Sequence, residues 1–387
     1  MIHNSQSTPR LSLCMIVKNE IKNLPRCLAS VKPYVDEMIV VDTGSQDRTP
    51  EMAAEYGAKV SYFDWCDDFA AARNYAISQA SSDWILMLDA DEELVVESED
   101  FLDQLTLYPN IVVYYLRLHD IPNELSERIA GNYVVRLFRN SPEIKYVGRF
   151  HEYITYQNQG LNSNWSSYTD QLKITHYGYG KEQVKQKNIS RNIPLLERIR
   201  QEEGLNLMLL YCLAEFYKHT QQSDKSKEIY AEALEGLRPH LEYGDRPEPF
   251  CYIPTLIYEL GKQLLLEKDY ETTHLLCQRG LEWCPNYPPL NMLAGATLRV
   301  LGFPLGSLAY FEQCLQLGKN GNYYKGEPFV VNYMTTYPAY DMGNVYIDLE
   351  HSQEALAAFE LALSFDANFT AAQEKIDRIK QFLDTQA

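Results

Sequence analysis

The first ninety residues alternate between short apolar runs and segments with helical spacing. Four of the apolar runs are too short for helices and predict buried strands, at residues 11–17, 38–41, 59–63 and 85–88. Residues 21–31 place apolar side chains three and four positions apart, which predicts a helix, and helices are also predicted at 47–56 and 67–80. Strands separated by short helices are typical of an α/β domain, so we predict a mainly parallel, Rossmann-like sheet covered on both faces.

A second pattern begins near residue 200, where the strand runs disappear and helical spacing repeats itself. Small residues anchor four similar copies, at Ala214, Gly261, Gly295 and Gly343. A period of about 34 residues is typical of tetratricopeptide-like repeats, which are pairs of helices that bury their core only against neighbouring pairs. We therefore predict two domains, an α/β domain at residues 1–199 and an all-α helical repeat domain at residues 200–387.

Two of the spacings between copies are longer than one repeat. The extra residues include the glycine-containing segments 244–249 and 321–326, which predict loops. The concave face of such an array could bind an extended protein partner. The alternative is that the array packs on the first domain or forms a homodimer with a second copy of the chain.

Composition restricts the partners. The formal net charge of −18 argues against a nucleic-acid partner and disfavours stable docking on anionic lipid. The eight cysteines lack metal-binding spacing, so we expect free thiols in a reducing compartment. Residues 1–10 lack an apolar export signal, and no apolar run reaches the roughly 18 residues of a membrane span. We expect a cytoplasmic protein without a membrane span.

Polar residues follow the predicted strands of the first domain at the ends where parallel strands converge. The three loops there contain Glu20, Asp42 and the pair Asp89 and Asp91. Open α/β folds place ligands at this edge, and carboxylates suit Mg²⁺ or Mn²⁺, which in turn bind diphosphates. We therefore predict a nucleotide-sugar site. Each loop also has a purely structural explanation. Asp89 and Asp91 could be an ordinary acidic strand end, and Asp42 could belong to a turn with a helix cap. Glu20 could be a carboxylate that interacts favourably with the helix dipole.

Four segments in this region carry a family resemblance. They read LSLCMIVKNE at 11–20, VVDTGSQDRT at 40–49, AARN at 71–74 and LDADE at 88–92. In this order they resemble family 2 glycosyltransferases of the GT-A fold, in the branch joined to C-terminal tetratricopeptide repeats. The resemblance implies that the α/β domain has the GT-A fold, that Asp42 and Arg73 hold the nucleotide, usually uridine, and that Asp89 contacts the ribose or the metal. Asp91 should bind the metal that bridges the diphosphate.

The resemblance also implies an inverting reaction, which needs a base to take the acceptor proton. After predicted strands at 111–118 and 133–138 the chain has the adjacent titratable residues His151 and Glu152. Family members carry an acidic residue near this stage, often in a Glu-Asp pair, so the His-Glu pair is a departure. We predict Glu152 as the base and keep His151 as the alternative, while a third explanation is that the pair only orders a loop.

Two further residues complete the predicted site. His176 ends another strand, and neutral imidazole is a common metal ligand, so we predict it with Asp89 and Asp91 as the set that holds Mn²⁺ or Mg²⁺. The alternative is a buried histidine with satisfied hydrogen bonds. Arg73 could pair with the diphosphate or with Asp89, or could face solvent.

The predicted function is transfer of a sugar, as by a hexosyltransferase, from a UDP-sugar to a hydroxyl of a glycan, peptide or lipid-linked acceptor. The alternative is a repeat-based scaffold that binds proteins and carries an inactive transferase domain. Nucleotidyl transfer onto a sugar phosphate is a third interpretation. It is disfavoured because such enzymes usually carry a glycine-rich basic loop after the first strand, whereas Lys18 is followed here by a predicted helix.

Overall fold

The computed structural model describes residues 9–105, 107–121, 129–130, 132–178 and 180–386. The chain divides into two compact units, the first made of residues 1–123 and 133–198 and the second of residues 124–132 and 199–387. We describe each unit by itself.

The strands are numbered in chain order. They are β1 (Leu11–Val17), β2 (Glu37–Asp42), β3 (Lys59–Tyr62), β4 (Trp84–Met87), β5 (Glu92–Val96), β6 (Val113–Asp120), β7 (Ile129–Ala130), β8 (Tyr133–Arg139), β9 (Ile144–Val147), β10 (Tyr153–Tyr156), β11 (Ser166–His176) and β12 (Phe329–Val330).

The helices are α1 (Leu24–Val31), α2 (Thr49–Glu55), α3 (Phe69–Ser78), α4 (Phe101–Leu105), α5 (Lys181–Lys187), α6 (Ile193–Glu203), α7 (Leu207–His219), α8 (Ser223–Tyr243), α9 (Ile253–Leu266), α10 (Tyr270–Trp283), α11 (Pro288–Val300), α12 (Pro304–Asn320), α13 (Thr336–Asp348), α14 (Ser352–Phe365) and α15 (Thr370–Gln386). A π-helical turn (Asn188–Asn192) joins α5 to α6, and a 3₁₀ turn (Val331–Met334) precedes α13. Among these helices of the described residues, none is long and apolar enough to cross a membrane.

The first unit is built on an eight-stranded sheet in the order β3-β2-β1-β4-β8-β6-β11-β5. The first four predicted strands pair in parallel, as do β6 and β11, whereas β8 and β5 run antiparallel to their neighbours. The predicted α/β class with a mainly parallel sheet is therefore confirmed. Strand β5 and the antiparallel pairings had no counterpart in the sequence prediction.

Alternate residues of β1 enter different cores, as the pleat of a strand requires. Leu13 belongs to a core cluster with residues of α1, and Cys14 belongs to a second cluster with residues of α3. Both faces of the sheet are thus covered. Helix α1 begins at Leu24 rather than at the predicted Ile21, because Pro25 has the fixed backbone angle that favours the first helical turn.

In the second unit the helices from α7 to α14 form pairs, and α15 follows the last pair. The same contact recurs in two pairs: the hydroxyl of Ser226 donates to the carbonyl of Ala214 at 2.9 Å, and that of Ser307 donates to the carbonyl of Gly295 at 2.8 Å. A Cβ atom at Gly295 would lie 2.5 Å from the ring of Phe311, so only glycine permits this approach. The predicted helical repeats are confirmed.

Both predicted insertions lie outside helices. Residues 244–249 follow α8, and residues 321–326 follow α12. The second insertion leads into β12, which pairs antiparallel with β7 within the same unit. All eight cysteines are free thiols.

Candidate active site

One cavity of about 460 Å³ lies in the first unit, where the ends of β1, β4 and β11 meet the beginning of α3. Seven of the eight predicted site residues line it: Glu20, Arg73, Asp89, Asp91, His151, Glu152 and His176. The eighth, Asp42, is not part of its wall as far as the described residues define it, although the next residue, Thr43, is. The loops after successive strands therefore converge as the sheet topology requires.

A chain of five alternating charges begins with three residues of the cavity wall and continues into the protein. Arg73 donates from Nε to Glu152 Oε1 at 2.5 Å and from Nη2 to Asp89 Oδ1 at 2.9 Å. Arg136 donates from Nη2 to Asp89 Oδ2 at 2.8 Å and to Glu92 Oε1 at 2.7 Å. Burial alone would raise the pKa of Asp89, but the charges of Arg73 and Arg136 outweigh it and hold the pKa below its ordinary value. Asp89 therefore stays a carboxylate.

Arg73 retains one donor for another molecule. The side chain is buried, and its Nη1 atom has no hydrogen-bond partner within the described part of the chain. A buried donor without a partner costs about 1–3 kcal/mol, and Arg73 lines the cavity. An oxygen-rich ligand in the cavity could satisfy this group.

Asp91 and His176 face each other on the cavity wall. His176 Nε2 lies 3.4 Å from Asp91 Oδ2, while Nδ1 lies 2.6 Å from Asp120 Oδ1. The hydrogen bond with Asp120, followed by that with Asp91, raises the pKa of His176 to about 10, against the opposing effect of burial. A histidine held on one nitrogen by a carboxylate is the arrangement that orients imidazole ligands toward metals.

The predicted metal ligands come together only in part. Across the described ranges, three or more His, Cys, Asp or Glu side chains nowhere form a group that could hold a metal ion. Both oxygens of Asp89 are held by Arg73 and Arg136, so its metal role stays a prediction. Asp91 and His176 lie together on the cavity wall, and their role in holding Mn²⁺ or Mg²⁺ likewise stays a prediction.

Asp42 closes a turn at the end of β2. Its Oδ1 accepts from the backbone amides of Gly44 and Ser45, each at 2.9 Å. Its other oxygen, Oδ2, is buried and has no hydrogen-bond partner in the described residues. The turn explanation is therefore correct for one oxygen, and the second remains available for the predicted nucleotide contact.

Glu20 lies in the turn before α1, and its Oε2 accepts from the side-chain amide of Asn23 at 3.0 Å. The loop with His151 and Glu152 lies between β9 and β10. His151 has a backbone φ of 50°, in the left-handed region that non-glycine residues rarely adopt, and such strain is concentrated at functional sites. Burial lowers the pKa of His151, and the charge of Glu152 acts in the opposite direction.

Some cavity residues have no place in the predicted site. They are Trp65, Phe69, Phe150, Lys187 and Arg191, together with Arg136 behind the wall. Arg136 had a detectable signal, since it is a charged residue within the apolar run of β8. The others come from loops, from the first residue of α3 and from the helical segment after β11. These elements are far apart in sequence, so no local pattern indicates that they meet.

Comparison with known proteins agrees with this geometry. The model of glycosyl transferase family 2 matches residues 12–163. A TPR repeat-containing protein of Synechococcus elongatus is 42% identical over 197 residues, which are 50% of this chain and 46% of that protein. The SPbeta prophage-derived glycosyltransferase SunS of Bacillus subtilis is 27% identical over 251 residues, 63% of this chain and 57% of that protein. This chain therefore spans about half the length of these two relatives.

One similar solved structure is that of the TPR protein YrrB, which is described as having an unusual peptide-binding site. It is 16% identical to this chain, the match covers 50% of this chain and 87% of YrrB, and the TM-score is 0.36. That score is too low to add to the architecture described above. The family match and the repeated helix pairs agree with the predicted resemblance. Residues 12–163 thus match glycosyl transferase family 2, and the helices that follow pair as tetratricopeptide-like repeats.

Proposed function

We propose that the chain transfers a sugar from a UDP-sugar to an acceptor hydroxyl, with Mn²⁺ or Mg²⁺ and with inversion at the anomeric carbon. The observation that carries the proposal is the cavity of the family 2 domain, where Asp91 and His176 face each other near a buried Arg73 with an unpartnered donor. In this proposal the pocket would hold both the metal ion and a cationic hydrogen-bond donor.

The donor would contact groups that the fold leaves without partners. Asp91 and His176 would hold the metal, which when bound supplies positive charge for the departing diphosphate. Arg73 Nη1 would donate to a donor oxygen, and Asp42 Oδ2 would accept from the base or from a ribose hydroxyl. Glu20 is proposed as a further donor contact. Both unpartnered atoms are buried, so a ligand that pairs with them removes a desolvation cost.

The chemistry requires one proton transfer. The acceptor oxygen forms a bond to the anomeric carbon, the bond from that carbon to the diphosphate oxygen breaks with its electron pair, and the acceptor proton moves to the base. We keep Glu152 as the base, acting through Oε2, because its contact with Arg73 Nε uses Oε1 and fixes the carboxylate. His151 is the alternative, since burial lowers its pKa and favours the neutral ring.

The proposal also gives each domain a role. Residues 1–199 would perform the transfer, and residues 200–387 would bind a protein partner, present a glycan, peptide or lipid-linked acceptor, or join two copies of the chain. The scaffold with an inactive transferase domain is the competing function. The charged cavity with Asp89, Asp91 and Arg73 in place argues against it, since a domain selected only as support needs no such buried charges.

Isothermal titration of the full chain with UDP, with and without Mn²⁺, tests the proposal. We expect binding that depends on the metal, is lost in Asp91→Ala and persists in Asp170→Ala, an exposed carboxylate of the same unit. Hydrolysis of UDP-sugars by the wild-type protein would then identify the sugar. If UDP fails to bind with or without metal, the UDP donor is wrong and the scaffold becomes the better hypothesis.

A further inference from the structure

The segment after β11 forms another wall of the cavity. Helix α5 continues into the π-helical turn at Asn188–Asn192, a rare geometry that is frequent at functional sites. Asn188 and Asn192 are both buried, and the amide of Asn192 donates to Asn188 Oδ1 at 2.8 Å. The residue before this turn, Lys187, and the turn residue Arg191 both line the cavity.

Lys187 interacts with the acidic part of the pocket, and Arg191 lies beside an aromatic ring of its wall. The charge of Lys187 interacts with those of Glu20, Asp91 and Asp89, and burial lowers its pKa against the effect of Glu20. The guanidinium of Arg191 lies 5.4 Å from the ring centre of Phe69, and both side chains line the same cavity. Arg191 Nε also donates to Asn192 Oδ1 at 2.9 Å, which orients the side chain.

A diphosphate in this cavity needs positive charge from more than one wall. Arg73 uses Nε and Nη2 on Glu152 and Asp89, and Nη1 is its nitrogen without a partner among the described residues. The nearby carboxylates would repel the anion unless cations offset them. A guanidinium fork and an ammonium are the two side-chain groups that bind phosphate oxygens most strongly.

We propose that Lys187 and Arg191 form a phosphate subsite that holds the diphosphate of the nucleotide donor in the cavity that Asp91 and His176 also line. The inference rests on the proposed function, since it assigns residues to the donor of that reaction. The competing explanation for Lys187 is that it only offsets the charge of the neighbouring carboxylates. The two explanations differ in how binding depends on the number of phosphates.

Titration with uridine, UMP, UDP and inorganic pyrophosphate, each with Mn²⁺, distinguishes the phosphate subsite from simple charge compensation. We expect Lys187→Gln and Arg191→Gln each to weaken UDP and pyrophosphate binding about tenfold, UMP less, and uridine not at all. Lys187→Arg should retain most of the affinity for UDP. Lys185→Gln is the matched control, because it removes the same charge from α5 at a residue that does not line the cavity.

Unchanged UDP affinity in both glutamine variants would overturn the subsite. An equal loss for uridine and UDP would also overturn it, because a structural disturbance does not follow the phosphate count. If the wild-type protein binds pyrophosphate but not UDP, and both variants weaken pyrophosphate, the subsite stands while the UDP donor fails. If neither ligand binds the wild-type protein, both the subsite and the donor are wrong.

Discussion

His176 lies directly beside Asp120 in the parallel pairing of β11 with β6, and its Nδ1 is 2.6 Å from the Asp120 carboxylate. The register of two strands thus decides which way the imidazole points. With Nδ1 held by Asp120, the other nitrogen is directed to Asp91. Asp120 is therefore expected to position a metal ligand without touching the metal.

The first prediction follows from this contact. Asp120→Asn should weaken Mn²⁺ binding in the presence of UDP by about 10–100-fold, the usual effect of removing the partner of a metal-bound histidine. Titration with Mn²⁺ at saturating UDP measures it. Asp170→Asn, at an exposed position of β11, should leave the metal affinity unchanged. An unaltered affinity in Asp120→Asn would mean that the contact plays no part in metal binding.

The second prediction concerns Arg136, whose side chain pairs with Asp89 and Glu92. Arg136→Met leaves two carboxylates without their shared cation, so the free energy of unfolding should fall by about 3–5 kcal/mol, as for other broken buried pairs. Arg48→Met removes an exposed pair with Glu55 and should cost about 0–1 kcal/mol. Urea denaturation of both variants is the measurement, and similar losses would contradict the expected effect of burial.

The third prediction uses the buried Glu327 of the second unit. Burial raises its pKa to about 8, only partly offset by hydrogen bonds from Thr255. Because the pKa is higher in the folded than in the unfolded chain, Glu327 contributes stability at low pH that is lost as the pH rises from about 4.5 to about 8.

Glu327→Gln should remove this loss of stability at rising pH. The variant should therefore gain stability relative to the wild-type protein as the pH rises through that range, with a slope of at most about 1.4 kcal/mol per pH unit. Urea denaturation at pH 5, 6.5 and 8 provides the comparison. A constant difference between the two proteins at all three pH values would show that Glu327 titrates alike in both states.

The fourth prediction tests the helix approach in the repeats. A Cβ atom at Gly295 would lie 2.5 Å from the Phe311 ring, so Gly295→Ala should destabilise the second unit by about 1–3 kcal/mol despite the helix propensity of alanine. Gly236→Ala meets only the flexible end of Leu207 at 3.1 Å and should be neutral or stabilising. Thermal unfolding followed by circular dichroism compares them, and Phe311→Leu should restore stability to the Gly295 variant.

Much of the fold follows from local sequence patterns. Strand β1 appears at the predicted residues 11–17 because six of its seven residues are apolar, and the repeat anchors Gly261 and Gly295, 34 positions apart, show the repeat spacing directly. Strand β5 escaped prediction because Glu92 and Glu93 open it. Its burial depends on the pairing with β11, which no local pattern reports.

The site was predictable where residues follow strands and not where charges pair across the fold. Asp89 and Asp91 lie in one loop after β4, so the topology of a parallel sheet predicts that both line the cavity at its edge. The sequence offered Asp89 as one possible partner of Arg73, which the structure shows, but no local pattern indicated that Arg136 of β8 holds the other carboxylate oxygen. Such pairing depends on side-chain geometry in the folded state, which is why the metal role of Asp89 could not be decided from the motif.

The final prediction separates the two candidate bases. Glu152→Gln keeps an oxygen for Arg73 but cannot take a proton, so hydrolysis of the UDP-sugar should fall about 10²–10⁴-fold while UDP affinity changes little. His151→Gln should then reduce the rate far less. His119→Gln, an exposed histidine of β6, is the control for loss of an imidazole. If His151→Gln instead reduces the hydrolysis rate more than Glu152→Gln does, the proton transfer belongs to His151. Glu152 would then be the residue that positions Arg73.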